Sequence, residues 1–213
     1  ETYDSNTPYG YDKAYDSSST YSMNNAAMVT VDGSDMFATA TFDFYGTGFD
    51  IISRTDKDQG ALRVMVYDAD GNLTQERRIQ YDGSGHLSCL TVTQFDETGT
   101  AAAYSETRYD PSGSLFSSLR KDYENGILCR QVEIRYFPNG NARAVEEWVY
   151  SSEGILQKWH LRRYNAGGGR LSDMRDQLDP KTGFMTISGE SRYENGSLET
   201  RRSGFRHGDG SLL

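Results

Sequence analysis

The sequence is poor in several residue types, and each scarcity argues against a class of protein. Its 213 residues include two cysteines, three histidines and four prolines. Neither cysteine belongs to a Cys-x-x-Cys motif and no histidine stands at metal-ligand spacing, so we expect no metal site and no cofactor. No run approaches the ~18 apolar residues of a transmembrane helix. These absences argue against a zinc module and against a helical membrane protein.

Apolar residues and positive charge are also scarce. Apolar residues make up 36% of the chain, below the ~45–50% of an ordinary globular domain. Fifteen tyrosines can cover apolar surface while keeping a hydrated hydroxyl. This composition favours a thin or single-layered sheet over a thick core. The net charge of −9 argues against nucleic acid and anionic membranes as partners, because both attract basic proteins.

Glycine, in contrast, recurs at a fixed interval from residue 71 onward. Successive glycines lie 13 to 15 residues apart, in turn-like segments such as YDADGNL and YENGIL. A three-residue hairpin loop ends with a residue at positive φ, which glycine adopts without steric cost, and Asn-Gly favours a two-residue type I′ turn. The sequence therefore predicts an all-β fold, a long antiparallel up-and-down meander of ~14-residue repeats with a curled or partly closed sheet. The anchoring glycines are Gly71, Gly85, Gly99, Gly113, Gly126, Gly140, Gly154, Gly168, Gly183, Gly196 and Gly210.

Three regions follow from this pattern. Residues 1–27 are rich in Tyr, Ser, Asp and Asn, and we interpret them as a tether or irregular N-terminal segment. Residues 28–66 contain N-terminal strands, and residues 67–213 form the tandem hairpin repeat. The β-rich runs in the middle region are Phe37–Tyr45, Phe49–Arg54 and Ala61–Tyr67.

Two side chains occupy fixed places in each repeat. An apolar residue lies two positions after the glycine and an aromatic residue ten positions after it, as Leu87 and Phe95 do after Gly85. Because both intervals are even and strand side chains alternate in direction, we expect both residues on one face. A turn pairs each aromatic with the next apolar residue, so position k should face position 12 − k. This register predicts Leu–Tyr ladders along both rims of a single face.

The same register gives a candidate site around Trp148. It places Trp148 opposite Arg130 and Lys158 on the two neighbouring strands. An indole surrounded by polar groups suits a sugar, since the ring offers an apolar platform and the polar groups meet hydroxyls. The alternative is a packed tryptophan beneath basic side chains in cation–π contact. The candidate ligand-binding residues are Trp148, Glu146, His160, Lys158, Arg130 and Arg162.

Trp159 and the cysteines complete the sequence-based expectations. The 12 − k register places Trp159 on the opposite face, with Tyr104 and Phe116. Cys89 and Cys129 fall on strands three steps apart, about 14 Å at ~4.8 Å per strand. A disulfide needs Cα atoms within ~7 Å, so we expect two free thiols.

Two stretches of sequence resemble known bacterial proteins. The turns Tyr67-Asp68 through Leu73 and Tyr109-Asp110 through Leu115 resemble the tyrosine–aspartate (Rhs/YD) repeats of bacterial surface and toxin-shell proteins, over roughly residues 67–213. That resemblance implies an extracellular, non-catalytic β-shell or adhesive element. Residues 40–68 are similar to segments of clostridial-type cell-surface proteins that belong to a jelly-roll, carbohydrate-binding-like domain. This second resemblance implies glycan binding.

We therefore expect a non-catalytic carbohydrate-binding or adhesion module of a bacterial extracellular or cell-surface protein, with a glycan as partner. A second interpretation is a structural repeat spacer or shell that mediates protein–protein contacts. A third is a glycan-active enzyme, because acidic residues are plentiful and a pair of carboxylates can cleave a glycosidic bond. Binding of defined glycans would separate the first interpretation from the second, and release of reducing sugar would favour the third.

Overall fold

A computed structural model describes residues 11–16, 26–31, 61–179, 185–195 and 197–205, the first two segments by their backbone pairing alone. The predicted strands Phe37–Tyr45 and Phe49–Arg54 lie outside these residues. The chain divides into two compact units, Glu1–Ser53 and Arg54–Leu213. Within the described ranges, no helix has the length and apolarity that crossing a membrane requires.

The first unit contains one described hairpin. Strand β1 (Tyr11–Asp16) pairs antiparallel with β2 (Ala26–Val31), and the register joins Tyr11 to Val31 and Asp16 to Ala26.

The second unit is one antiparallel sheet of eleven strands in strictly sequential order. Each strand is hydrogen-bonded to the strands before and after it, and β3 and β13 are the two edges of an open sheet. The all-β class and the up-and-down meander predicted from the glycine repeat are therefore confirmed. The strands are β3 (Ala61–Tyr67), β4 (Leu73–Tyr81), β5 (Leu87–Phe95), β6 (Ala101–Tyr109), β7 (Leu115–Glu124), β8 (Ile127–Tyr136), β9 (Ala142–Tyr150), β10 (Leu156–Tyr164), β11 (Arg170–Leu178), β12 (Met185–Glu194) and β13 (Ser197–Phe205).

The turns have the predicted geometry. In the β4–β5 turn the Asp82 amide donates to the His86 carbonyl at 2.8 Å and the Gly85 amide donates to the Asp82 carbonyl at 2.9 Å. Gly85 has φ of 81°. This is a three-residue loop whose last residue is left-handed. In the shorter β7–β8 turn, Asn125 and Gly126 have φ of 51° and 78°, as a type I′ turn requires.

Each hairpin of the large sheet contains one β-bulge. Every one of the ten pairings from β3 to β13 has a register shift next to its turn. In the β9–β10 pair, Tyr150 faces Leu156 but Val149 faces Lys158, which leaves Gln157 as the extra residue. A bulge adds one residue to one strand, so the pairing changes beyond it. The predicted 12 − k register is therefore right beside the turns and wrong in the middle of the strands, where position k faces 13 − k.

This shift distributes the ladders over both faces. Because opposite residues share a face, the pairings define a tryptophan face, which carries Trp148 and Trp159, and a histidine face, which carries His160 and Lys158. Within the large sheet, the ends of the strand pairs β3–β4, β5–β6, β7–β8 and β9–β10 beside their turns form the first rim, and the corresponding ends of β4–β5, β6–β7, β8–β9, β10–β11 and β12–β13 form the second rim. The prediction of both ladders on one face is wrong, because each bulge reverses the alternation. The tryptophan face carries the first-rim pairs Tyr67–Leu73, Phe95–Ala101, Tyr123–Leu128 and Tyr150–Leu156, and the histidine face carries the second-rim pairs Tyr81–Leu87, Tyr109–Leu115, Tyr136–Ala142 and Tyr193–Leu198.

The sheet has little buried apolar volume. Leu161, on the tryptophan face, is the buried apolar side chain of the described residues, with 9% of its surface exposed. Half-buried side chains predominate along the strands, as a single layer with two wet faces requires. Cys89 and Cys129 are both free, as predicted.

Candidate functional site

A row of polar and aromatic side chains crosses the middle of the tryptophan face. The pairings join these residues strand by strand, so each contacts the next across ~4.8 Å. The row runs perpendicular to the strands, from β6 to β11. Its members are Tyr104, Lys121, Gln131, Trp148, Trp159 and Asp176.

Trp148 and Trp159 are directly opposite each other in this row. Opposite residues of an antiparallel pair have Cβ atoms about 4.5–5.5 Å apart, so the two indoles lie next to each other on this face. The Trp159 Nε1–H donates to Glu146 Oε1 at 2.8 Å. This bond satisfies the indole donor and fixes the ring. Gln131 flanks Trp148 on one side and Asp176 flanks Trp159 on the other.

Tyr104 adds a third ring to the row, three strands from Trp148. Its hydroxyl donates to Glu106 Oε2 at 2.8 Å. Burial, with a further contribution from this hydrogen bond, raises the pKa of Tyr104 to about 12. The Lys121 Nζ lies 5.9 Å from the Tyr104 ring centroid, at cation–π distance. The phenol therefore stays neutral and oriented across the physiological pH range.

A shallow depression of about 390 Å³ lies next to Tyr104, over β4, β5 and β6. Glu106 and Arg108 form part of its wall, and the Arg108 Nε pairs with the Glu106 carboxylate. The hydrogen bond from Arg108 is the main cause of the lowered pKa of Glu106. Cys89 also lines this depression, and burial raises the pKa of its thiol. The depression is polar and open, which suits a hydrated ligand.

The predicted site does not form as one cluster. Trp148 and Glu146 lie on the tryptophan face, but Arg130, Lys158, His160 and Arg162 lie on the histidine face. The predicted partners of Trp148, Arg130 and Lys158, instead face Val149. The reason is the bulge beside each turn, which moves the residue opposite Trp148 by one position.

Three of the four basic residues on the histidine face, Arg130, His160 and Arg162, form ion pairs with acidic neighbours. The Arg130 Nε lies 2.8 Å from Glu147 Oε1, and the Arg162 Nη2 lies 3.9 Å from Glu147 Oε2. The His160 Nε2 and Asp173 Oδ1 are 2.8 Å apart. Since these charges are largely compensated within the sheet, the network is explained by pairing across strands.

Trp159 is the binding candidate that the sequence-based register misplaced. It was predicted on the face opposite Trp148, yet it is the direct neighbour of Trp148. Tyr104 does share a face with Trp159, as predicted, whereas Phe116 is the bulged residue of β7 and is 58% exposed. The sequence signal for the bulge is partial: a small hydroxyl or thiol residue lies three positions after the glycine in four of ten repeats, at Thr74, Ser88, Cys129 and Thr186.

Comparisons with known proteins add little to this geometry. No family model matches the chain, and no curated protein matches it. One similar solved structure is a protein with unknown function from Bacteroides fragilis NCTC 9343, at 11% sequence identity. The alignment covers 68% of this chain and 93% of that chain, with a TM-score of 0.21. A likeness at that TM-score carries no argument about fold or function.

Proposed function

We propose that this chain is a non-catalytic carbohydrate-binding or adhesion module of a bacterial extracellular or cell-surface protein. The observation that carries the proposal is the pair Trp148 and Trp159, adjacent on one open face of a single-layered sheet. Two neighbouring indoles offer an apolar platform to sugar rings. The aromatic row of the tryptophan face is then the binding surface.

Polar groups around the platform support a sugar rather than a purely apolar ligand. Gln131 and Asp176 flank the two indoles in the same row, and Glu146 lies one row away against Trp159. An amide and two carboxylates supply donors and acceptors for sugar hydroxyls on both sides of the aromatic pair. Ligand sites commonly combine such an apolar surface with a few placed polar groups.

The shape of the surface favours a polymer. The row from Tyr104 to Asp176 spans six strands, or about 24 Å at ~4.8 Å per strand. The same line of pairings continues beyond its two ends, with Thr93 on β5 and Ser188 on β12. A chain of several sugar units lying across the strands would contact the whole row, whereas a single sugar would cover only the tryptophan pair.

A structural spacer that contacts other proteins is the second candidate function. Large apolar side chains are exposed on both edge strands of the sheet, with Met65 at 41% and Tyr67 at 52% on β3 and Leu198 at 54% on β13. Exposed apolar groups of this size are typical of protein contacts when they form a continuous patch.

Glycan-array binding combined with affinity electrophoresis tests the proposal. The variants Trp148→Ala and Trp159→Ala should each abolish retardation by the glycans that the wild type binds. Tyr136→Ala is the matched control, because Tyr136 is a half-buried aromatic on the histidine face, where its hydroxyl contacts Ser118 Oγ at 3.0 Å. Equal loss in all three folded variants would contradict the tryptophan platform. Absence of binding to plant, mucin and cell-wall glycans would favour the structural spacer function. Release of reducing sugar would indicate an enzyme.

A further inference from the structure

A second row on the tryptophan face, nearer the second rim, alternates long and small side chains. Its long members are a glutamine followed by four arginines, and its small members are Cys, Ser, Ala, Ser and Thr. Each member faces the next across a strand pairing. In order the row is Gln80, Cys89, Arg108, Ser117, Arg135, Ala144, Arg163, Ser172, Arg192 and Thr200.

The four arginines form an evenly spaced, exposed array. Successive arginines are two strands apart, which is about 10 Å at ~4.8 Å per strand. The side chains of Arg108, Arg135 and Arg192 are 59%, 60% and 64% exposed, and Arg163 is exposed as well. The array therefore places guanidinium groups at a regular interval across a protein whose net charge is −9, and three of the four are paired with a carboxylate on their own strand.

The arrangement of these arginines in the sequence shows that the turns do not require them. Each arginine immediately precedes the residue ten positions after the glycine, which is the aromatic residue in most repeats. Every repeat has a residue at this position. If the hairpin itself needed arginine there, it would recur in every repeat. Arginine recurs only in alternate repeats. These are the repeats in which the side chain at this position lies on the tryptophan face, beside the second rim. In the intervening repeats the same position holds Val66, Gln94, Asp122, Val149 and Gln177.

The small residues between the arginines follow the same rule. The strands that alternate with the arginine strands place Cys89, Ser117, Ala144, Ser172 and Thr200 in the row. At the equivalent position of the remaining strands, which lies on the histidine face, the residues are mostly larger: Gln75, Ala103, Arg130, Lys158 and Ile187. A long–small alternation leaves a notch between each pair of neighbouring arginines.

One of these notches is a measurable depression. Arg135 and Arg163 flank Ala144, and with Glu133, Glu146 and Leu161 they line a depression of about 80 Å³. The Arg135 Nε bonds to Glu133 Oε1 at 2.9 Å, which uses one of the five N–H donors of the guanidinium. Among the described residues, Arg163 has no carboxylate within ion-pair distance. The notch therefore combines an unneutralised cation with carboxylates that can accept from hydroxyls.

We infer that this arginine row binds an acidic polysaccharide that lies across the strands, with uronate carboxylates seated between neighbouring guanidinium groups. The inference rests on the proposed function, because it names the class of glycan that the tryptophan face takes. Arginine forms planar, bidentate contacts with carboxylates. Glu133 and Glu146 accept from the hydroxyls of the same sugars, and the aromatic row runs parallel to the arginine row on the same face, four residues away along each strand.

The charge pattern favours a sparsely charged polymer over a nucleic acid. A nucleic acid strand carries one phosphate per ~3.4 Å, whereas the arginines recur about every 10 Å. Carboxylates lie next to three of the four arginines, in the pairs Arg108–Glu106, Arg135–Glu133 and Arg192–Glu190. A densely charged strand would place phosphates against these carboxylates, whereas a uronate polymer carries at most one acid per sugar unit.

Affinity electrophoresis with three uronate polymers tests the inference. Hyaluronan, alginate and polygalacturonate are each compared with their carboxyl-reduced counterparts. The wild type should bind at least one acidic polymer more tightly than its reduced form. Arg135→Gln with Arg163→Gln should weaken that binding about ten-fold. Arg77→Gln with Arg120→Gln is the matched control, because it removes the same charge from the histidine face and should change binding less than about two-fold.

The outcomes separate this inference from the proposed function. Failure of the wild type to prefer any uronate polymer over its reduced form would overturn the inference, as would equal losses in the two arginine variants. If Trp148→Ala with Trp159→Ala loses neutral and reduced glycans while no acidic preference exists, the proposed function stands alone. If that tryptophan variant keeps acidic binding and Arg135→Gln with Arg163→Gln loses it, the arginine row stands and the tryptophan platform is wrong.

Discussion

The glycine after each turn has a conformational role at the scale of a single residue. Eight of these glycines have φ between 78° and 84°, a region that a Cβ disfavours. Gly126 and Gly140 differ in their surroundings. A Cβ on Gly126 would lie 3.1 Å from Thr100 Cγ2 in the neighbouring first-rim turn, whereas a Cβ on Gly140 would meet nothing within 4 Å.

Alanine substitutions should therefore rank in a fixed order. Gly140→Ala should lower the free energy of unfolding by about 1 kcal/mol through backbone strain alone. Gly126→Ala should cost more, because the contact with Thr100 adds to the strain. Gly83→Ala is the control, since Gly83 has neither positive φ nor a neighbour within 4 Å. Urea unfolding followed by circular dichroism measures all three, and equal effects at positions 83 and 140 would contradict the turn geometry.

Much of this residue-scale structure follows from sequence. The spacing of the glycines predicted the turns, and the Tyr-Glu-Asn-Gly segment predicted a two-residue turn in which Asn125 also has positive φ. The pairing of Tyr81 with Leu87 beside the turn was predicted as well. These features depend only on residues close together in the chain, and local backbone preferences determine them.

The bulge is the feature that matters most at the scale of the hairpin. The extra residue interrupts the ladder, and in four hairpins its side chain donates to a carbonyl of the preceding strand. The donors are Thr74 to Val66 at 3.1 Å, Ser88 to Gln80 at 3.1 Å, Cys129 to Asp122 at 3.1 Å and Thr186 to Gln177 at 3.0 Å. A hydroxyl or thiol at this position therefore replaces a lost backbone donor.

Substitutions of Cys129 isolate this hydrogen bond. Thr and Val have the same shape, but only Thr keeps a donor for the Asp122 carbonyl. We expect Cys129→Val to lower the free energy of unfolding by about 1 kcal/mol relative to Cys129→Thr. Thr already occupies the equivalent position in β4 and β12, so this variant introduces no new geometry. If urea midpoints of the two variants coincide, the side-chain bond does not stabilise the bulge.

The register in the middle of the strands was mispredicted for a physical reason. An even count from turn to turn assumes that every residue of a strand is paired, and the bulge adds one unpaired residue per hairpin. That single residue moved Trp159 to the face of Trp148 and separated Lys158 and His160 from both. The placement of the alternate arginines on one face also depends on this reversal. A register without bulges therefore did not reveal the arginine row.

The large sheet has two faces of different character. One bulge per hairpin reverses the side-chain alternation, so a given repeat position lies on opposite faces in successive strands. The tryptophan face carries an aromatic row and an arginine row that run in parallel across the strands. The histidine face carries an ion-pair network around Glu147. Most side chains of the described strands keep part of their surface exposed on both faces, and both proposals use the tryptophan face alone.

Disulfide trapping tests the reversal of faces most directly. In a background with Cys89→Ser and Cys129→Thr, the pair Trp148→Cys with Trp159→Cys is compared with the pair Trp148→Cys with Lys158→Cys. Opposite residues have Cα atoms about 4.5–5.5 Å apart and can form a disulfide, whereas side chains on opposite faces cannot. Mild oxidation of dilute protein, followed by thiol titration and mass spectrometry, should show an intramolecular disulfide for the 148–159 pair and two free thiols for the 148–158 pair. A disulfide in the second pair and none in the first would contradict the bulged register and both binding surfaces derived from it.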